Sequence, residues 1–211
     1  MNKVTIDGLS LLVEKGTTIL EAALQAGLNI PTLCYRPELK PEGVCRVCLV
    51  ELGGSSTLVG ACHTKVEDGM IVWTRSPKAT RARELTIELL MARHDERCVC
   101  DQNSDNCRLH ALADSVNIKP SGIPRKLLPQ NIENRSQVIW IEQKKCILCR
   151  LCIRACHELA NQDILALANR ASDTRVVFDV DRLLHEETCI NCGICVDYCP
   201  TGAISMEKER T

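Results

Sequence analysis

The first apolar–polar patterns along the chain are strand-like. Lys3–Asp7 reads as a strand, Asp7-Gly8 as a turn and Leu9–Glu14 as the returning strand. The period then becomes helical. Leu20 and Leu24 lie four apart on one face, Thr17 is a good N-cap, and Gly27 supplies the stop. Strand-like pieces recur at Val47–Leu52 and Met70–Trp73. Ser76-Pro77 opens a second helix with proline at its first position, and Leu85, Ile87, Leu89, Leu90 and Met91 give it an apolar side. It runs into His94 and a short cysteine-rich loop. Residues 115–137 hold three prolines, a glycine and few periodic apolar positions, so they read as a connecting segment. From Val138 onward two nearly identical cysteine runs form an internal repeat.

Strand, strand, helix, cysteine-bearing loop and further strands is an order that resembles a β-grasp domain. Composition then changes the picture. The 211 residues carry 26 Lys plus Arg against 27 Asp plus Glu, a net charge of −1, which argues against a nucleic-acid binder. Aromatic residues make up only 2%, whereas cysteines number 15, so something other than ring packing holds parts of the protein together. An odd number cannot be consumed by disulfides alone. The N-terminus lacks a charged-then-apolar signal pattern, and no apolar run approaches the roughly 18 residues of a membrane span. The expectation is a cytoplasmic protein with no membrane span, whose thiolates bind soft metals: zinc, Cu(I) or iron–sulfur clusters.

Spacing chooses among these. Cys146-x2-Cys149-x2-Cys152-x3-Cys156 and Cys189-x2-Cys192-x2-Cys195-x3-Cys199-Pro200 follow the pattern of bacterial two-cluster ferredoxins. Three thiolates within seven residues fold around one cubane, and the fourth points to its neighbour. The predicted ligands are Cys146, Cys149, Cys152 and Cys199 for one [4Fe–4S] cluster, and Cys156, Cys189, Cys192 and Cys195 for the other. Asn191 and Gly193 suit a tight loop whose N–H groups approach the sulfurs. The second run ends in Cys199-Pro200, whereas His157 follows Cys156. Zinc, held by paired C-x2-C knuckles, is the alternative metal.

In the first third, Cys34-x10-Cys45-x2-Cys48-x13-Cys62 shares its C-x2-C centre and distant fourth cysteine with plant-type [2Fe–2S] ferredoxins, with a longer first spacer. Zinc also stays open here. PTLCYRPELKPEGVCRVCLVEL followed by GACHTKVEDGMIV resembles the N-terminal [2Fe–2S] domain of the complex I 75 kDa subunit. That domain is shared with NAD-linked [FeFe] hydrogenases, some formate dehydrogenases and the diaphorase small subunit of NAD-reducing hydrogenases. The resemblance covers essentially the whole chain. It implies a [2Fe–2S] cluster on Cys34, Cys45, Cys48 and Cys62, with His63 a neighbour rather than a ligand. It also implies a [4Fe–4S] cluster held by one histidine and three cysteines at H-x3-C-x2-C-x5-C. The matching positions are His94, Cys98, Cys100 and Cys107, with the middle cysteine one residue early. His110 is a rival donor if that loop is rearranged. Together the four sets use all 15 cysteines.

The expected architecture is therefore α+β in four parts. Residues 1–77 form a β-grasp [2Fe–2S] domain. Residues 78–120 form a small helical [4Fe–4S] domain with one histidine and three cysteine ligands, 121–137 connect, and 138–211 form a two-cluster bacterial ferredoxin-like domain. No G-x-G-x-x-G or G-x4-G-K-[ST] loop is present, so no flavin, nucleotide or catalytic site is expected on this chain. The resemblance implies an electron-relay subunit of a hetero-oligomer, partnered by a flavoprotein binding FMN or FAD and NAD(P), and by ferredoxin or another redox subunit. An electron-bifurcating NAD(P)H:ferredoxin oxidoreductase is the leading expectation. An NAD-linked hydrogenase or formate dehydrogenase is the second. A zinc-stabilised interaction protein is the reading from another class, and an iron–sulfur sensor lacks a visible output surface.

Overall fold

The computed structural model describes residues 1–55, 57–94, 107–118, 133–134, 138–178 and 189–206. Strands β1 (Asn2–Ile6) and β2 (Leu9–Val13) pair antiparallel. Asp7 at φ 46° and Gly8 at φ 87° make the tight turn between them, the left-handed pair that matches strand twist. Helix α1 (Ile19–Gln25) follows, then β3 (Leu49–Leu52), β4 (Leu58–Gly60) and β5 (Met70–Trp73). The sheet order is β2-β1-β5-β3-β4, with β1 and β5 parallel and the other pairs antiparallel, which is the β-grasp order.

Helix α1 starts one residue later than the sequence suggested. Thr18, not Thr17, is the N-cap, and Glu21 completes a capping box with it. At the other end the N–H groups of Gly27 and Leu28 return to Leu24 O and Ala23 O, a Schellman stop. Ile19, Leu20, Ala22 and Ala23 pack on Val4, Ile6, Val50 and Val72 of the sheet, whereas Leu24 faces outward at 53% exposure. The expected Leu20/Leu24 face is thus rotated towards the smaller residues. Each large aliphatic side chain buried here contributes about 1.5–3 kcal/mol.

Helix α2 (Pro77–Arg93) begins as expected, with Ser76 Oγ capping the Ala79 N–H at 3.1 Å. Its buried residues are Ala79 and Ile87, while Leu85 and Leu89 are exposed, so the expected apolar side is only partly used. Helix α3 (Arg108–Ser115) follows. The strands β6 (Glu133–Asn134), β7 (Ile139–Ile141) and β10 (Ile204–Met206) form a sheet in the order β10-β7-β6, and β8 (Leu165–Ala168) and β9 (Arg175–Phe178) form a hairpin. Helices α4 (Leu151–Glu158) and α5 (Ile194–Asp197) carry the ends of the two cysteine runs. Their core joins Ile139, Ile141, Leu165, Val176, Phe178 and Ile204 to cysteines of both runs.

The described chain forms two compact units. Met1–Pro37 with Pro41–Ile87 is one, and Glu38–Lys40 with Glu88–Thr211 is the other. The expected connecting segment lies mostly outside the described residues. Among the described residues, no helix is long and apolar enough to cross a membrane.

Candidate metal centres

In the first unit the loop between α1 and β3 carries Cys34, Cys45 and Cys48, and the turn after β4 carries Cys62. All four are buried. The mutual effects of these thiols show how close they lie. The S–H of Cys34 serves the Cys45 sulfur, so Cys45 falls to about 7 while Cys34 rises, first through that bond and then through burial. Cys48 falls to about 7 through the Cys62 thiol, and Cys62 rises. Backbone N–H groups also face the sulfurs, that of Cys45 lying 3.4 Å from Cys34 Sγ. Arg46, at φ 58°, turns the chain between the paired cysteines. This is a preformed thiolate cage supported by N–H donors, the chemistry a small iron–sulfur cluster needs. Beside it His63 Nδ1 lies 3.6 Å from Cys62 Sγ.

In the second unit the two cysteine runs have the same backbone. Leu148 and Arg150 take φ 55° and 64° in the first run, and Asn191 and Gly193 take φ 50° and 76° at the equivalent positions of the second. Two left-handed residues per run curl each loop, and the Leu148 N–H returns to Cys146 Sγ at 3.4 Å. The runs enclose two cavities. One is lined by Cys146, Cys149, Cys152 and Cys199. The other is lined by Cys156, Cys189, Cys192 and Cys195. Burial pushes the Cys146 thiol up to about 11 and Cys195 up to about 12, and holds Cys152 well above the ordinary thiol range. Thiols so disfavoured as thiolates ionise when a cation compensates them, so the donor set fits a metal centre. Cys192 is exposed and its neighbour Ile190 is 59% exposed, which leaves the second cavity nearer solvent.

The middle site is only partly described, because Cys98 and Cys100 lie outside the described residues. His94 is fully buried at the end of α2, and its Nε2 lies 3.5 Å from Cys107 Sγ. Its Nδ1 donates to Lys145 O at 2.8 Å, which orients the ring and turns Nε2 towards Cys107. Donor atoms of His94, Cys107 and His110 all lie within 4.8 Å of one another. His110 Nδ1 is buried with no hydrogen-bond partner among the described residues. Two residues that sequence reasoning missed hold this corner together. Arg93 donates to Cys146 O at 3.1 Å and Thr174 O at 2.6 Å, and the Arg108 N–H donates to Pro200 O at 2.8 Å. His94 and Cys107 are thereby tied to the loops that carry Cys146 and Cys199.

A β-grasp unit with a four-thiol cage, and a unit that wraps paired cysteine runs around two cavities, define an iron–sulfur protein of mixed α and β structure. Comparison with known proteins agrees. Residues 1–77 match the family described as 2Fe-2S iron-sulfur cluster binding domain. Residues 83–121 match the NADH-ubiquinone oxidoreductase-G iron-sulfur binding region, and 183–205 a 4Fe-4S binding domain. The chain is 36% identical over 217 residues to the HndD subunit of an NADP-reducing hydrogenase of Solidesulfovibrio fructosivorans, spanning 99% of this chain and 36% of that protein. It is 36% identical over 205 residues to the alpha subunit of an NADPH-Fe(3+) oxidoreductase of Geobacter sulfurreducens, spanning 97% of this chain and 24% of that protein. It therefore spans only a minor part of the length of these two relatives. The gamma subunit of the NAD-reducing hydrogenase HoxS of Cupriavidus necator is of similar size. It is 30% identical over 208 residues, which span 98% of this chain and 87% of that one. A crystal structure of an NAD+-reducing [NiFe]-hydrogenase in the H2-reduced state superposes with a TM-score of 0.86 at 30% identity, covering 98% of this chain and 87% of that chain. The chain belongs to the family of iron–sulfur subunits found in NAD(P)-linked hydrogenases and oxidoreductases.

Proposed function

We propose that this chain is a non-catalytic electron-transfer subunit, relaying single electrons between an NAD(P)H-linked flavoprotein and ferredoxin or another redox subunit. The observation that carries the reading is the pair of cavities, each lined by three cysteines of one run and one of the other. That exchange is how two cubanes share a bacterial ferredoxin fold. The ligand sets are Cys34, Cys45, Cys48 and Cys62 for one [2Fe–2S] cluster, and three [4Fe–4S] sets. These are His94, Cys98, Cys100 and Cys107; Cys146, Cys149, Cys152 and Cys199; and Cys156, Cys189, Cys192 and Cys195. The domains follow the division at residues 77, 120 and 137. When bound, such clusters accept and pass on one electron at a time over a wide range of low potentials.

The chain's own residues build the path. The Lys145 carbonyl, adjacent to Cys146, holds the His94 ring, and Pro200, adjacent to Cys199, holds the start of α3. The middle site therefore abuts the Cys146 set, which shares its fold with the Cys156 set at the more exposed edge. Cys146, Cys149 and Cys152 are buried, whereas Cys192 of the other set is exposed, and loop N–H groups supply the compensating dipoles.

Within this class, the bifurcating NAD(P)H:ferredoxin oxidoreductase remains the first reading of the partner complex. The hydrogenase reading gains support from the HoxS relative, most of whose length this chain matches. Anaerobic co-purification from the native host tests both. A flavoprotein that binds NAD(P) is expected in either case, and ferredoxin-dependent activity of the isolated complex separates them. Recovery of the chain alone and colourless, with zinc in place of iron, would overturn the proposal.

A further inference from the structure

We propose that His63 is a positioning residue of the [2Fe–2S] site, built to donate its Nδ1–H to the Cys62 sulfur and so to raise the reduction potential of that centre. The proposal rests on the reading of Cys34, Cys45, Cys48 and Cys62 as cluster ligands. Its own support is a slot made for one imidazole.

His63 Nδ1 stands 3.6 Å from Cys62 Sγ, within reach for a sulfur acceptor. Two glycines clear the space the ring fills. A Cβ on Gly43 would lie 2.6 Å from Nδ1 and 2.7 Å from Cε1. A Cβ on Gly60 would collide with Cε1 and lie 2.9 Å from Nδ1. Gly60 is the last residue of β4, paired with Leu49. Its φ is not in the left-handed range, so the backbone there accepts other residues. Glycine at this strand position therefore marks close approach of another group, and that group is the His63 ring.

The turn fixes the ring's starting point. The N–H groups of His63 and Thr64 return to Gly60 O at 3.3 and 3.1 Å, and Thr64 Oγ1 donates to the same carbonyl at 2.9 Å. Backbone N–H groups serve the other three sulfurs: those of Cys45 and Val44 at Cys34, of Val47 and Leu33 at Cys45, and of Cys62 at Cys48. At Cys62 the neighbouring donor is a side chain. A hydrogen bond to a coordinating thiolate withdraws charge from it and favours the reduced, more negative state of the centre.

The test uses the full chain purified anaerobically, with the midpoint of the [2Fe–2S] electron paramagnetic resonance signal followed by redox titration. His63→Leu is expected to keep the iron and sulfide content and move the midpoint to a more negative value. His63→Asn, whose amide N–H reaches the Nδ1 position, is expected to restore it. Gly60→Ala, which displaces the ring, should give the negative shift in the parent chain and no further shift on top of His63→Leu. The imidazole contribution to the weak 14N coupling of the reduced centre should be lost in His63→Leu, while that of the backbone amides stays. A His63→Leu midpoint equal to that of the parent would overturn the proposal. So would strong 14N coupling with the cluster retained in Cys62→Ala, which would make His63 the ligand. Absence of the [2Fe–2S] signal in the parent chain would instead strike the cluster reading, and the proposal with it.

Discussion

At the scale of single residues, the chain spends conformational energy where metal has to be held. Leu148, Arg150, Asn191 and Arg46 all take positive φ beside candidate ligands, whereas Gly193 does so at no steric cost. Gly193→Ala adds a methyl at φ 76° and brings it 3.1 Å from Met206 Sδ. The expected result is a loss of about 1 kcal/mol, seen as earlier thermal bleaching of the cubane absorbance under anaerobic conditions. Thr18→Ala removes the Oγ1 that accepts from the Glu21 N–H, leaves the Thr18 N–H on the Glu21 carboxylate, and should cost about 1 kcal/mol. It should lower the urea midpoint while leaving iron content unchanged. Both positions illustrate what was legible. Asn191 and Gly193 announce a tight loop by their chemistry, whereas Leu148 and Arg150 are revealed only by the repeat. Thr17 and Thr18 are equivalent as caps until Glu21, three residues past Thr18, decides between them. That signal was in the sequence and outweighs the residue type alone.

At the scale of elements, spacing within a loop read through to structure better than helix faces did. In C-x2-C-x2-C-x3-C three of the four cysteines fall within seven residues, so their spacing defines the loop before any fold is known. Helix faces depend on what the sheet and loops present. Leu24, Leu85 and Leu89 point outward although their spacing is helical, because Ala22, Ala23, Ala79 and Ile87 are the residues that fit against their neighbours. The strands β4, β6, β7 and β10 carry too few residues for a period to show. Arg93 was also invisible, since nothing in sequence marks a cation as a clamp between carbonyls 28 residues apart, on Cys146 and Thr174. Burial lowers the Arg93 pKa, yet its two carbonyl acceptors account for its place at the end of α2. Arg93→Leu would leave those part-buried acceptors short of a charged donor, at a cost of about 1–3 kcal/mol. The denaturation midpoint should fall, and the spectrum of the middle and Cys146 centres should change more than that of the [2Fe–2S] centre. Arg93→Lys, which keeps the charge but not the forked geometry, should fall between.

At the scale of the whole molecule, aromatic side chains are few and cysteines take up part of the core. Cysteines stand beside Ile139, Leu165, Val176 and Phe178 in the apolar cluster of the second unit. On the proposed ligand sets, anaerobically purified protein should hold about 14 iron and 14 sulfide per chain. A value near 10, with the three other centres spectroscopically intact, would remove the middle centre alone. The crossed arrangement makes the sharper prediction. Cys156 sits on α4 with the first run in sequence, yet lines the cavity of Cys189, Cys192 and Cys195. Its thiol is raised first by burial, with Cys189 and Cys192 adding to the effect. If sequence neighbours shared a centre, Cys156→Ala would damage the Cys146 set. If cavities define the centres, the same change should release up to about four iron from the Cys189 set, or convert it to a three-iron form. Cys199→Ala should do the reverse, damaging the set that contains Cys146, Cys149 and Cys152. Mössbauer spectra of the two variants, compared with the parent, read this directly: complementary losses are expected, and identical losses would exclude the exchange of ligands between the runs.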